Sequence, residues 1–239
     1  MIQLPIVSRE LRIAARKAST LWVRLIAVIV ATLIATGFML LAAMGIPGGP
    51  SFGSALLSTL TWLTFLATCL AGVFLTSDCL SQEKREGTLG LLFLTDLRGF
   101  DVIAGKLMVT SLRGFYAVLA ILPVLSTTVL LGGVTGSQIA RVSLALLNSL
   151  FASLCAGLLV SALSKQAQKA MSGTFLLVLL LNVGGPIADS LIHLNSRNGP
   201  VLRPMLSLCS PSFAFVEALQ FGARSFWWAL GVSHLVAWA

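Results

Sequence analysis

Apolar residues in this chain come in long unbroken blocks, with the charged residues gathered between them. From Leu25 to Ser77 there is no Asp, Glu, Lys, Arg or His, a run far longer than the ~18 residues that already read as a membrane span. The turn-forming stretch Ile46-Pro-Gly-Gly-Pro-Ser-Phe-Gly53 divides it into two helices. Further charge-free intervals cover 114–140, 142–164, 170–188 and 225 to the last residue. A helix rises about 1.5 Å per residue and the hydrocarbon layer is roughly 30 Å thick, so about 20 residues make one crossing. The pattern predicts spans at 22–45, 54–77, 107–132, 138–163 and 171–188, with a sixth at 225–239. The sixth is short, aromatic at Phe226-Trp227-Trp228, and reaches Trp238-Ala239 with no polar flank, so it reads as a span cut short. The predicted fold is an all-α polytopic membrane protein: six transmembrane helices forming a single transmembrane domain over 1–239.

Composition excludes a soluble globule. Hydrophobic residues make up 57% and charged residues 10% of the chain, and the mean hydropathy is +0.96, more apolar than a water-soluble core requires. The net charge of +8 would suggest nucleic acid in a soluble protein; here it sets orientation instead, and no nucleic-acid partner is expected. Arg9, Arg12, Arg16, Lys17 and Arg24 precede span one, Lys84, Arg85, Arg98, Lys106 and Arg113 lie between spans two and three, and Lys165 and Lys169 lie between four and five. The alternate segments hold only Arg141, Arg197, Arg203 and Arg224, which places the N-terminus in the cytoplasm. Cys69, Cys79, Cys155 and Cys209 have neither the spacing of a zinc site nor that of a disulfide framework.

Three segments lie outside the spans. Residues 5–20 place Val7, Leu11, Ala14 and Ala18 on one helical face and Arg9, Arg12 and Arg16 on the other, which predicts an amphipathic helix on the inner leaflet. The segment 78–106 is cytoplasmic and long enough for two short helices. The outer segment 189–224 contains Ser210-Pro211, a start signal for a short helix through Phe213, Phe215, Val216 and Leu219, expected at the outer interface.

Several short matches to catalytic motifs fail on context. Gly49-Pro-Ser51-Phe-Gly53 spells a nucleophile elbow, but it lies between two spanning helices with no strand before it. Gly99 to Leu107 resembles a phosphate loop with one residue too many between the glycines and Leu107 where a hydroxyl must bind magnesium. Asp189 and His193 are four apart and could exchange a proton, although a hydrated structural pair is the commoner outcome. No span is read as carrying an ionisable group near its middle, which counts against a proton- or sodium-coupled carrier. Along span four, Ala145, Ser149, Ser153, Gly157 and Ser161 recur every fourth residue. Such a small-residue ridge marks a tight helix contact, more often inside one subunit than between two.

The segment after span two carries the most information. Glu83, Lys84, Arg85 and Glu86 form a charged lead-in, Gly87-Thr88 stops and restarts the helix, and Leu89, Leu91, Leu92, Phe93 and Leu94 follow outside the membrane. One short helix cannot cover all five, so part of this surface must meet lipid, other loops or another protein. The run Glu83-Lys84-Arg85-Glu86-Gly87-Thr88-Leu89 with Leu91-Leu92 and Leu94-Thr95, the Pro5-Ile6-Val7-Ser8-Arg9-Glu10-Leu11 surface helix and the six-span layout together resemble the membrane subunits of type-2 ATP-binding-cassette (ABC) transporters. The resemblance implies a coupling helix at Thr88–Leu94 that seats in a separate ATPase subunit, and a second membrane subunit pairing around the substrate path. It also implies a complete sixth span and a cytoplasmic tail, which this sequence lacks.

The expected function is therefore the permease subunit of an ATP-driven exporter in a prokaryotic inner membrane. It is not an enzyme itself; ATP and magnesium would be bound on the partner ATPase and no cofactor on this chain. A stand-alone secondary carrier or channel is the alternative. An intramembrane hydrolase using Ser51 is a third, less favoured class.

Overall fold

The computed structural model describes residues 18–44, 51–76, 99–164, 166–195, 206–220 and 225–238. Among them every regular element is helical: α1 (Ala18–Ala43), α2 (Ser51–Leu75), α3 (Gly99–Leu130), α4 (Gly136–Leu163), α5 (Ala167–Asn195), a 3-10 turn (Ser207–Cys209), α6 (Pro211–Leu219) and α7 (Ser225–Trp238). Four of these contain stretches long and apolar enough to cross a membrane: Phe52–Leu75, Thr110–Leu130, Gly136–Leu163 and Ala167–Ile192. A shorter apolar stretch, Leu25–Leu41, lies in α1, and α7 is 14 residues long. The amphipathic helix expected at 5–20 and the coupling segment at 83–94 lie almost wholly or wholly outside the described residues.

The direction of each helix follows from which residues meet. Phe38 near the end of α1 contacts Phe52 at the start of α2, with ring centroids 5.3 Å apart. Gly53 of α2 abuts the backbone of Thr128 and Gly132 at the end of α3, and Gly114 of α3 faces Leu150 of α4. These neighbours run antiparallel. Between α2 and α4 the numbering rises together, from Thr68 against Ser149 to Gly72 against Ser153 and Thr76 against Gly157, so those two run parallel. The chain therefore reverses from α1 to α2, from α2 to α3 and from α3 to α4.

The connection from α3 to α4 is a tight turn in which Gly132 and Gly133 have φ of 81° and 77°, a left-handed backbone that side chains with a Cβ disfavour. Thr135 then caps α4, its hydroxyl accepting from the Gln138 N–H. Helix α3 begins at Gly99, inside the segment expected to lie outside the span, and continues unbroken through Pro123. The stretch that resembled a phosphate loop is thus the first turns of a helix, with Gly105 buried. Ser51 is likewise the first residue of a 25-residue helix, and Gly53 is spent on the close approach to α3.

Helix α4 is the hub. Two-thirds of its most apolar window is buried, against 6% for α5, and its fully buried Val142, Ala145, Leu146 and Leu154 join Leu56, Leu57 and Leu125 in the core. Helix α5 instead leaves Leu176, Leu180 and Leu191 at least 60% exposed, so in a bilayer its outer face meets lipid or another protein.

Hydroxyl side chains sit inside this apolar bundle because they bond within it. Thr61 donates to Leu57 O, Thr64 to Leu60 O and Thr76 to Gly72 O, at 2.7 to 2.8 Å. Where hydrocarbon offers no water, such back-bonding satisfies a hydroxyl at little cost.

Candidate functional site

The ridge on α4 lies against a second ridge on α2. Ser149 Oγ is 2.9 Å from Thr68 Oγ1, and Ser153 Oγ donates to the Thr68 carbonyl at 2.7 Å. A Cβ on Gly72 would collide with the Ser153 backbone, and one on Gly157 with Thr76 Oγ1 and, at 2.5 Å, with Gly72 O. Ser161 continues the same face, fully buried. All of these contacts are made within one chain. Lipid tails solvate leucine as well as a neighbouring helix does, so close backbone approach and hydroxyl bonds hold such a seam. The span-two residues Thr64, Thr68, Gly72 and Thr76 recur every fourth residue, a signal equal to the one on span four and overlooked in the sequence.

Helix α6 braces this seam. Ser210 Oγ accepts from the Phe213 N–H and Pro211 occupies the first turn, as the sequence predicted. Its apolar face turns into the bundle, where Phe215, Ala214 and Ala218 are fully buried. The Phe215 ring stacks on Phe65 at 4.5 Å and meets Trp62 edge-on at 5.0 Å. Only a folded-back chain can make these contacts, because the aromatic partners on α2 are far away in sequence.

Polar groups hold α6 at both ends. Pro186, inside α5, removes the N–H that would bond the Asn182 carbonyl, and Ser212 Oγ donates to that carbonyl instead. At the other end, Gln138 Nε2 donates to Leu219 O and Arg141 Nη2 to Gln220 O, the latter at 3.0 Å. A cation over the last carbonyls of a helix opposes the negative end of its dipole. This gives Arg141 a structural role where α4 meets the end of α6. Asp189 also has a structural role: it accepts from the Ser207 N–H at 2.8 Å, the Ser207 hydroxyl at 2.6 Å and the Leu206 N–H at 3.3 Å. The side chain of His193 lies outside the described residues.

The expectation that no span carries an ionisable group near its middle is overturned. His234 of α7 bonds through Nδ1 to Asn148 Oδ1 at 3.0 Å, and Asn148 sits near the middle of the 28-residue α4. With the sixth span read as cut short, its depth could not be placed from sequence; packing on α4 sets it.

Residues 83–94 connect α2 to α3. The last described residue before it, Thr76, packs against Gly157 at the end of the seam. Glu83, Lys84, Arg85, Glu86, Gly87, Thr88, Leu89, Leu91, Leu92, Phe93 and Leu94 themselves lie outside the described residues.

Residues 63–226, more than half of the chain, match the family of ABC-2 family transporter proteins. The chain belongs to the ABC-2 transporter family. It is the membrane subunit of a type-2 ABC transporter, an integral membrane permease component and not the ATP-binding subunit. No curated protein matches the chain. The matched region of this ABC-2 subunit takes in residues 83–94, the α2–α4 seam from Leu63 onward and all of α6.

Proposed function

We propose that this ABC-2 subunit forms the substrate path of an exporter with six spans and works with a separate ABC-type ATPase. The observation that carries this is the family match over residues 63–226, which includes the charged and apolar segment from Glu83 to Leu94. ATP and magnesium belong to the partner, which would grip Thr88–Leu94 with Glu83–Glu86 as the lead-in. The exposed faces of α1 and α5 offer contact to lipid and to a second membrane subunit, in a homo- or heterodimer. The reversal of direction from α1 through α4 supports a polytopic layout. The distribution of Lys and Arg supports a cytoplasmic N-terminus in a prokaryotic inner membrane.

Mechanically, the partner's nucleotide-driven closure pulls on the connection between α2 and α3. Helix α2 is locked to α4 at Gly72 and Gly157, to α3 at Gly53, and to α6 through Phe65. A close-packed block of this kind moves as a rigid body and does not absorb the displacement locally. Coupling requires that the partner bind the two arrangements of the block with different affinity.

The test is mild extraction of the tagged chain followed by identification of whatever copurifies. An ATPase with a phosphate-loop motif, whose hydrolysis rate changes on reconstitution with this chain, is the expected result. A chain that purifies alone and still moves substrate in vesicles would shift the function to a stand-alone carrier or channel.

A further inference from the structure

In the sequence Arg113 stands just inside the start of the apolar stretch Thr110–Leu130, a place from which an arginine ordinarily reaches back to the membrane surface. The packing sets it deeper. Its neighbour Gly114 faces Leu150, at the middle of the 28-residue α4, and next to Leu150 the Ser149 hydroxyl meets Thr68 of α2. From Thr68, α2 runs on through Leu75 for about two more turns without a charged residue. Arg113 is therefore level with the interior of two spanning helices and not with their ends.

At that depth the guanidinium lacks a partner. Nε of Arg113 is buried and has no hydrogen-bond partner among the described residues, so the side chain is held in the bundle and not swung wholly out of it. The described carboxylates are engaged or distant. Asp189 accepts from Ser207 and Glu217 from Ser225, and Asp101 is about 18 Å back along α3. Thr110, one turn before Arg113, is buried, whereas Tyr116, one turn after it, is exposed. Arg113 thus stands on the border between the packed face of α3 and the face turned to lipid or another chain. Charged side chains at membrane depth are costly, and they pair.

The chemistry of the missing partner follows from the donor and its surroundings. A guanidinium offers a planar fork of N–H groups that matches an oxyanion at two points, phosphate above all. A carboxylate in a medium of low dielectric can discharge itself by taking up a proton, whereas a phosphodiester is too strong an acid to do so. A free anion does not enter hydrocarbon unaided, so the oxyanion must arrive joined to an apolar body. We propose that Arg113 is the binding site for the phosphate group of a lipid, held within the membrane at the border of α3. The site makes no use of the ATPase, and it stands or falls separately from the coupling at Thr88–Leu94.

The test uses the full chain purified in an uncharged detergent, with dioleoylphosphatidylglycerol as the probe and native mass spectrometry to follow the first lipid bound. The wild type should hold this lipid more tightly than dioleoylglycerol, which has the same tails and no phosphate. Arg113→Gln should weaken its binding about 10- to 100-fold, and Arg113→Lys, which keeps the charge without the fork, should fall between. In the absence of lipid, Arg113→Gln should melt no lower than the wild type, because a desolvated charge without a partner costs stability. A lower melting temperature would reveal a partner inside the chain and overturn the site. So would binding that is the same in wild type and Arg113→Gln, or the same for the two lipids. Displacement of the lipid by inorganic phosphate at equal concentration would overturn the assignment to a lipid. Should Arg113→Gln fail to insert, the two lipids compared on the wild type and Arg113→Lys decide.

Discussion

At Gly157 the absence of a side chain is what lets α2 and α4 touch. A branched residue there meets Thr76 and the Gly72 backbone, and backbone cannot yield as a flexible side chain can. Gly157→Val should cost about 2–3 kcal/mol or more through overpacking. Ser153→Ala removes one hydroxyl bond to Thr68 O, and bonds between spanning helices average only about 0.6 kcal/mol. Denaturation in mild detergent should rank the valine variant well below the alanine variant; equal losses would mean that the bond holds the seam and close approach does not. Half of this contact was legible in the sequence. The fourfold spacing of Ser149, Ser153, Gly157 and Ser161 identified one ridge, but Thr64, Thr68, Gly72 and Thr76 passed as part of a featureless uncharged run. A ridge names a contact without naming its partner, since close backbone approach is open to any helix with small residues.

Helix α6 shows what an element's own residues can and cannot specify. Ser210-Pro211 announced where it starts, because a hydroxyl cap and a missing N–H suit a first turn. Its burial was not legible, because Phe215 finds Phe65 and Trp62 only after the chain has folded back. Phe215→Ala should leave a cavity of roughly 100 Å³, at ~24 cal/mol per Å³ worth about 2 kcal/mol. The transfer part of the usual penalty is small where the surroundings are lipid. Arg141→Gln should cost less, about 0.5–1 kcal/mol, by loosening the last turn of α6. Limited proteolysis from the outer side should then cut first near 220–224, and an unchanged cutting pattern would show that Arg141 does not hold that end. Helix α7 was legible as apolar and aromatic, yet the bond from His234 to Asn148 was not, because Asn148 lies on another helix.

Across the whole molecule, blocks of uncharged residues and the placement of Lys and Arg were enough to foresee an all-helical membrane protein, since both follow from the cost of burying charge in hydrocarbon. How the helices pair needed coordinates. Orientation is open to direct measurement. In single-cysteine variants treated with an impermeant thiol reagent, Cys209, exposed beside α6, should label from outside intact cells and Cys79 only after permeabilisation; labelling of Cys79 from outside would invert the topology. The segment from Thr88 to Leu94 is where the proposed coupling stands or falls. Replacing Leu92 and Phe93 by Asp puts two charges into a desolvated contact and should weaken association by about 3 kcal/mol or more, at least a hundredfold. Insertion should be unaffected, because the sequence pattern puts this segment between spans and not within one. The deciding measurement is the amount of ATPase that copurifies with wild-type and doubly substituted chains present at equal levels in the membrane. Loss of the ATPase from the substituted chain alone is the predicted result, and its retention with unchanged coupled transport would contradict a coupling helix at this position.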